Sequence, residues 1–399
     1  MEPTATRPRT LAPGVAFVLV GVVLGAVLFA ASAPSPLYPV YAQRFDFSPT
    51  TLTAIFAVYA FALIVTLLLT GSLSDRVGRR PVLLVSLLVL AAAMAVFVVA
   101  DGVGWLFVAR ILQGLGTGVA TGTLSAVLLD LQPRPGTGST VSAVGPSFGL
   151  AVGALATGAL VQYGPAPRQL VFWLLLAVFL LSAAALAVVP ETVAPRPGWR
   201  QDLRPRVGVP AAARATFVAV APMVVAGWAF TGFYLSLGSS LTADLTGDSD
   251  RLVAALPLAA LFGAAGIASL LTPRWTAERA VLIGAPLFVV GVGLTIAGIA
   301  ADSFWLYLVG SVVGGLGFGP SFAGSLRALA PLVEPAERGR LLTAVYVTAY
   351  LGFSAPALVA GLLTTHLGLR PTADAYAAVV IVLALGATAA YAVTRRRAE

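Results

Sequence analysis

Twelve stretches of about 20 mostly apolar residues follow one another along this chain, and this pattern restricts its fold more than any other feature. A helix of that length crosses the hydrocarbon core of a bilayer, where each backbone polar group must find its partner within the helix. Only 10% of the 399 residues are charged, too few to cover a soluble protein. We therefore predict an all-α polytopic membrane protein with spans near 13–33, 51–71, 81–100, 104–129, 139–162, 169–189, 215–240, 252–272, 280–300, 303–329, 341–364 and 375–393.

The first apolar run has a second interpretation. Arg7 and Arg9 precede it, and Ala31-Ser32-Ala33 near its end resembles the small-residue cleavage site of a secretory signal peptide. The apolar core of a signal peptide is about 7–15 residues long, and this run is longer. We expect a transmembrane span and not a cleaved leader.

The arginines predict the orientation. All 24 basic residues are Arg; with the N-terminus inside, eighteen fall in cytoplasmic segments and four in outer segments, while Arg110 and Arg327 lie inside spans. By the positive-inside rule, both termini are cytoplasmic and the protein is a multi-pass protein of the cell membrane. Because the arginines occupy short breaks between apolar runs and form no basic stripe, the net charge of +8 does not indicate nucleic-acid binding.

The two halves of the chain resemble each other. Residues 113–118 (Gln-Gly-Leu-Gly-Thr-Gly) are echoed by residues 314–319 (Gly-Gly-Leu-Gly-Phe-Gly), 201 positions later. We predict an N-terminal six-helix bundle at 1–190, a cytoplasmic linker at 191–214 and a C-terminal six-helix bundle at 215–399. Repeats of this kind in transporters place the substrate site between them.

The loop between the second and third spans carries a motif. Residues 71–80 read Gly-Ser-Leu-Ser-Asp-Arg-Val-Gly-Arg-Arg, which resembles the signature loop of the major facilitator superfamily; the matching positions are Gly71, Asp75, Arg76, Gly78, Arg79 and Arg80. The resemblance implies twelve helices in two pseudo-symmetric bundles and a gating role for Asp75. It also implies that Asp130 pairs with Arg79 or Arg80. The corresponding loop of the second half has Pro273 in place of the central Asp.

The fourth span contains Arg110, Gln113 and Gly114, which resemble a second motif of the superfamily that is associated with proton-coupled members. Arg110 lies about 9 Å inside its span, at 1.5 Å per residue. A buried guanidinium is costly and keeps its proton, so we expect it to face the bundle interior and to take part in coupling. The alternative is an arginine that extends to the outer headgroups.

Two further groups of residues are candidates. Gly145, Pro146 and Gly149 resemble the motif of antiporter subfamilies, although Leu150 breaks its usual Gly pair; a Pro-kinked packing helix is the alternative. Aromatic side chains could line a substrate cavity, or form belts at the membrane surfaces. These aromatic candidates are Tyr38, Tyr41, Trp228, Tyr234, Tyr346 and Tyr350.

The sequence favours a secondary transporter over other membrane proteins. It has no Cys, one His (His366) and no nucleotide-binding loop, so we expect no metal, no cofactor and no direct use of ATP. No carboxylate lies deep in a predicted span. The resemblance to drug/proton antiporters implies alternating access and proton-coupled efflux of a hydrophobic or amphipathic compound by a monomer in the lipid bilayer. A carrier of a neutral metabolite such as a sugar is the alternative, and a membrane-embedded enzyme is disfavoured because no catalytic constellation is found.

Overall fold

The computed structural model describes residues 11–70, 73–196, 207–247, 250–334 and 337–396. These residues form fifteen α-helices: α1 (Pro13–Ser32), α2 (Tyr38–Phe45), α3 (Pro49–Thr70), α4 (Ser74–Val77), α5 (Arg79–Val99), α6 (Val103–Leu131), α7 (Thr137–Tyr163), α8 (Leu170–Leu186), α9 (Arg214–Phe233), α10 (Ser239–Thr246), α11 (Arg251–Leu271), α12 (Ala277–Ala300), α13 (Phe304–Leu329), α14 (Arg338–Leu367) and α15 (Leu369–Arg396).

The all-α membrane fold is confirmed. Within the described residues, eleven helical segments are long and apolar enough to cross a bilayer, and α8 is a shorter apolar helix of 17 residues at the position of the predicted sixth span. The last helix begins at Leu369, six residues before the predicted boundary. This earlier start places Asp374 in the second turn of α15, near the beginning of the helix.

The first and seventh spans are longer than predicted because each contains a change of helix type. The first runs over Pro13–Phe45 and joins α1 to α2 through a 3₁₀ turn at Ser35–Leu37. The seventh runs over Ala211–Thr246 and joins α9 to α10 through a π-helical turn at Tyr234–Gly238. Ser35 Oγ donates a buried hydrogen bond of 2.7 Å to Leu235 O, so the two irregular turns touch.

The helices of the two halves pack in the same order. In the N-terminal half, α1 packs against α7, α3 against α6, and α5 against both α6 and α8. In the C-terminal half, α9 packs against α14, α11 against α13, and α12 against both α13 and α15. The halves meet where α3 packs against α14 and where α7 packs against α11. This repeated order is the pair of pseudo-symmetric bundles that the sequence predicts.

The echoed glycines explain why the two halves share this packing. A Cβ at Gly114 of α6 would overlap the carbonyl oxygen of Tyr59 in α3. A Cβ at Gly315 of α13 would overlap the carbonyl oxygen of Leu261 in α11. Small residues let membrane helices approach closely, and the gain is van der Waals packing in place of a hydrophobic effect.

The bundle has two faces, which we name by the turns they hold. The linker face holds the C-terminal ends of α3, α6 and α8 and the N-terminal end of α9; the opposite face holds the turns after α2, α5 and α7. Between described residues, the side-chain hydrogen bonds that join the halves lie toward the opposite face. Thr50 Oγ1 donates to Gly361 O at 3.2 Å and lies 2.9 Å from Thr365 Oγ1. The backbone N of Arg251 donates to Gln162 Oε1 at 2.9 Å.

Candidate functional site

Arg110 is the eighth residue of α6, about 10 Å along the helix from the opposite face at 1.5 Å per residue. Only 1% of its surface is exposed. Nη1 donates to Gln113 Oε1 at 2.7 Å and to Ala31 O at 3.4 Å, and Gln113 Nε2 donates to Ala30 O at 2.6 Å. Arg110 and Gln113 therefore tie α6 to carbonyl oxygens of α1, and the guanidinium faces the interior of the bundle.

Two aromatic rings cover the Arg110 guanidinium. Its Cζ lies 4.3 Å from the ring centroid of Tyr59 and 5.9 Å from that of Phe56. Such contacts stabilise a cation that is removed from water. Nε has no hydrogen-bond partner, and no carboxylate within the described part of the chain pairs with Arg110. The described residues thus leave this buried charge without a counter-ion.

Five aromatic side chains of the C-terminal half form a cluster that we name the aromatic wall: Trp228 of α9, Phe322 of α13, and Tyr346, Tyr350 and Phe353 of α14. The Trp228 ring centroid lies 4.8 Å from that of Tyr350, 5.7 Å from that of Phe322 and 5.9 Å from that of Phe353. The sequence nominated Trp228, Tyr346 and Tyr350, and the structure brings these three together.

The aromatic wall reaches the interface between the halves. The rings of Phe353 in α14 and Phe56 in α3 lie 4.6 Å apart, centroid to centroid. Phe56 also lies beside the Arg110 guanidinium. The ring of Phe56 therefore lies between the Arg110 guanidinium and the aromatic wall. Phe322 and Phe353 were missed, because no spacing rule distinguishes them from ordinary apolar residues of a span.

The other three aromatic candidates lie elsewhere. Tyr41 stacks on Phe45 at 5.8 Å within the N-terminal half. Tyr38 is buried, and its hydroxyl has no hydrogen-bond partner among the described residues. Tyr234 lies inside the C-terminal half, where its hydroxyl is 2.8 Å from Ser311 Oγ and 3.4 Å from Thr295 Oγ1. These tyrosines do not contribute to the aromatic wall.

The signature loop lies on the linker face. Arg79 Nη1 is 2.5 Å from Asp130 Oδ2 at the end of α6, and Arg79 Nη2 is 3.4 Å from Asp75 Oδ1. The Asp130 partner is thus Arg79, within the N-terminal half. The Asp75 side chain is 60% exposed, and its described contact is also within this half. Gly71 lies outside the described residues.

Glu191 holds the start of α5, a role that the sequence did not reveal. Its carboxylate accepts from the backbone N of Arg79 at 2.9 Å and of Arg80 at 3.0 Å. A carboxylate at a helix N-terminus satisfies free N–H groups and interacts favourably with the helix dipole. Gly78 precedes this turn with a φ of 105°, a conformation that side chains rarely adopt. The Arg76 carbonyl accepts from the backbone N of Arg196 at 2.7 Å, so the loop and the segment after α8 are joined.

The fold and the signature loop agree with the comparison to known families. A family model described as the Major Facilitator Superfamily matches residues 20–294, more than half of the chain. The chain belongs to the Major Facilitator Superfamily. This family and the similar proteins below are those of transporters and not of enzymes.

Several superfamily members with known names are similar to parts of the chain. The multidrug resistance protein MdtL of Shewanella sp. (strain ANA-3) is 34% identical over 92 residues, 23% of each chain. The tetracycline resistance protein, class E, of Escherichia coli is 33% identical over 93 residues, again 23% of each. The MFS antiporter QDR2 of Candida albicans is 28% identical over 178 residues, 43% of this chain and 35% of that one. Each alignment thus spans less than half of the relative.

A solved structure shares the superfamily fold over most of the chain. The nucleoside transporter NupG superposes with a TM-score of 0.74, covering 94% of this chain and 100% of that chain at 12% identity. At this identity the likeness concerns the fold alone.

In this superfamily member, the antiporter-like residues of α7 pack against α1. A Cβ at Gly149 would overlap the carbonyl oxygen of Gly25, whereas a Cβ at Gly145 would meet Leu24 at an ordinary 3.5 Å. Pro146 lies inside α7, which continues through it. Gly149 is therefore the member of the predicted trio that requires a small residue.

Several polar groups of the C-terminal half were not anticipated. Arg370 pairs with Asp244 and Asp302 at the opposite face. Arg327 Nη1 donates to Thr272 O at 3.2 Å and to Pro273 O at 3.1 Å, next to the loop that lacks the signature Asp. One carboxylate oxygen of Asp374 in α15 is buried without a hydrogen bond among the described residues.

Proposed function

We propose that this superfamily transporter exports a hydrophobic or amphipathic compound from the cell by alternating access, coupled to protons. The observation that carries the proposal is the aromatic wall with Arg110 across the interface. Large rings offer apolar area to a hydrophobic solute, and a few polar groups give orientation, as in small-molecule sites generally. The names of the similar multidrug and tetracycline resistance proteins support the same class of solute.

The contacts between the halves support alternating access. Near the opposite face, Thr50 binds Gly361 and Thr365. The ion pairs Arg79–Asp130 and Arg395–Glu278 of the linker face each join residues of the same half. Rocking of one bundle against the other would break the few contacts of Thr50 and close the linker face. In that second conformation the signature loop would meet the C-terminal half, which is the gating role we propose for Asp75.

We assign the linker face to the cytoplasm. The excess of arginines in the segments of this face supports the assignment. The conformation described here is then closed to the outside. Reporter fusions near Trp199 and after Arg397 should both report the cytoplasm, and an exterior signal from either would contradict the orientation.

Proton coupling rests on Arg110 in this proposal. As a fixed buried cation, Arg110 does not carry the proton itself but stabilises nearby anions, including an ionised carboxyl group. Asp374 lies in α15, which packs against α9 and α12 of its own half and away from the interface. Arg110, Gln113 and Gly114 are therefore the residues to which we attribute coupling.

Transport by purified protein in proteoliposomes tests the function. Vesicles are loaded with a hydrophobic fluorescent dye, a nucleoside or a sugar, with and without an imposed pH gradient. We expect movement of the dye, accelerated by the gradient and reduced to the rate of protein-free vesicles by an uncoupler. Movement of the sugar or nucleoside in place of the dye would establish the alternative, a carrier of a neutral metabolite. The buried hydroxyl cluster around Tyr234 and Ser311 favours that alternative.

A further inference from the structure

The unsatisfied polar atoms near the interface share one chemical property. Arg110 Nε, Trp228 Nε1 and the Tyr38 hydroxyl are buried and have no hydrogen-bond partner among the described residues. Each can donate a hydrogen bond, and two of them cannot accept one. Buried donors without acceptors are costly, so their natural complement is a ligand rich in acceptors.

The orientation of Arg110 leaves one edge of its guanidinium free. The hydrogen bonds of Arg110 to described residues, with Gln113 and with Ala31, both use Nη1. The edge formed by Nε and Nη2 makes none. Two parallel N–H groups on one edge match the two oxygens of a carboxylate, a geometry that gives a strong bidentate contact.

The charges around the site also favour an anion. Among the described residues, no carboxylate pairs with Arg110, whereas Arg79, Arg370 and Arg395 each pair with at least one. Arg110 is also the most deeply buried of these arginines, with 1% of its surface exposed. Holding an unpaired cation at this depth is unfavourable, and an anionic solute would remove that cost.

The surroundings define the rest of the solute. The guanidinium is covered by Tyr59 and Phe56, and Phe56 touches Phe353 of the aromatic wall. Both rings pack against the cation without a hydrogen bond to it, so a solute can replace them by moving side chains alone. A molecule that places an acidic group at Arg110 would lay its body against Trp228 and Tyr350.

We propose that the solute of this transporter is an amphipathic organic anion, whose carboxylate or similar acidic group binds the Nε–Nη2 edge of Arg110 and whose aromatic body contacts the aromatic wall. This inference rests on the proposed export function and adds the charge of its solute. The bound anion neutralises Arg110, so the loaded protein changes conformation without an unpaired charge in its interior. The empty protein retains that charge.

Binding of three matched probes to the purified full chain tests the inference. Naphthylacetate, naphthylacetamide and naphthylethylammonium share one aromatic body and carry a negative, a neutral and a positive group. Calorimetry and thermal stabilisation report their affinities. We expect the carboxylate to bind about 10- to 100-fold more tightly than the amide, the gain typical of hydrogen bonds to a charged group. The ammonium should bind most weakly.

Variants of Arg110 assign the selectivity to this residue. Arg110→Ala should remove the preference for the carboxylate, and Arg110→Lys, which keeps the charge and much of the volume, should retain part of it. Arg279→Ala is the matched control, because Arg279 is exposed and lies 5.1 Å from the Trp275 ring centroid, far from the interface; it should retain the full preference. If Arg110→Ala does not insert into the membrane, Arg110→Lys provides the test. A reduced preference for the carboxylate supports the inference, and an undiminished preference contradicts it.

The contrary outcomes are distinct. Equal binding of carboxylate and amide, stronger binding of the ammonium, no carboxylate binding at millimolar concentration, or a preference that survives the loss of Arg110 would each overturn the inference. Dye export by the same preparation would show that the proposed function stands without it. Absence of export for any probe, despite carboxylate binding, would instead overturn the function.

Discussion

Arg110 and Ser311 occupy the same place in the two halves of the molecule, the eighth position of α6 and the eighth position of α13. In the N-terminal half this position holds a cation, bonded to Gln113 and covered by aromatic rings. In the C-terminal half it holds a hydroxyl, bonded to Tyr234. Both positions lie one turn before the glycines that press each helix against its neighbour.

This contrast separates the features that the duplicated architecture needs from those to which we attribute a role in transport. The glycines recur because both bundles need the same close helix packing. The polar groups do not recur: this position holds a charge beside the interface in the first half and neutral hydroxyls inside the second half. The same division holds on the linker face. Asp75, Arg79 and Asp130 form ion pairs in the first half, and the corresponding loop of the second half has Pro273 in place of the Asp.

The shared packing predicts the largest effects. Gly114→Val and Gly315→Val each introduce atoms into a neighbouring backbone carbonyl, which cannot move aside as a flexible side chain can. Both should lower the yield of folded, inserted protein by about 5- to 100-fold, since overpacking costs on the order of 1–3 kcal/mol. Gly122→Val is the control, because a Cβ there meets nothing within 4 Å. Size-exclusion profiles of tagged protein measure the yield. A normal yield of Gly315→Val would contradict the conclusion that both halves need the same close helix packing.

The differing polar groups predict the next effects. Arg110→Ala should reduce transport about 10- to 100-fold, because it removes buried, charge-assisted hydrogen bonds. Arg110→Lys should be impaired less, since it keeps the charge and loses the planar fork. Ser311→Ala removes only neutral hydrogen bonds, with the Tyr234 hydroxyl and to Tyr307 O, and should cost less, about 2- to 10-fold. Initial rates in proteoliposomes at equal protein content measure the three. Equal losses in Arg110→Ala and Ser311→Ala would remove the functional contrast between the halves.

The linker face predicts the smallest effects. Asp130→Asn should slow transport several-fold, because the Asp130 side chain is 31% exposed and lies 2.5 Å from Arg79. Asp75→Asn removes a longer and more exposed contact, worth about 0–1 kcal/mol, so its static effect is small. If inserted Asp75→Asn protein loses more transport than this weak contact explains, the excess reports the proposed gating role of Asp75 in the conformation with the linker face closed. Arg327→Gln, which loses hydrogen bonds to carbonyl groups only, provides the second-half comparison. Normal transport by Asp75→Asn would refute the gating proposal.

The sequence predicted the spans well because lipid requires about 20 apolar residues for each. It failed where helices contain polar residues. Asp374 follows Arg370 and Pro371, which read as a loop, yet α15 already begins at Leu369. The 3₁₀ and π turns were missed for a similar reason, because no composition rule places a change of helix type within an apolar run.

The candidate site was predicted in part. The depth of Arg110 follows from its position in the span. Of its two hydrogen-bond acceptors, Gln113 lies in the same helix, but Ala31 lies in α1, 79 positions earlier in the chain, and the sequence does not reveal that contact. Helical spacing groups Tyr346 with Tyr350 on one face, yet it does not say which other helix that face meets. For that reason Trp228 joined these residues, whereas Tyr41 and Tyr234 did not.

A cross-link between Thr50 and Thr365 tests whether transport requires the two halves to separate at the opposite face. The chain has no Cys, so the double variant Thr50→Cys and Thr365→Cys adds a single pair of thiols, at side chains whose hydroxyls lie 2.9 Å apart across the halves. Oxidation should fix the opposite face closed and abolish transport, and a reductant should restore it, while each single variant remains active under oxidant. Undiminished transport by fully cross-linked protein would contradict alternating access.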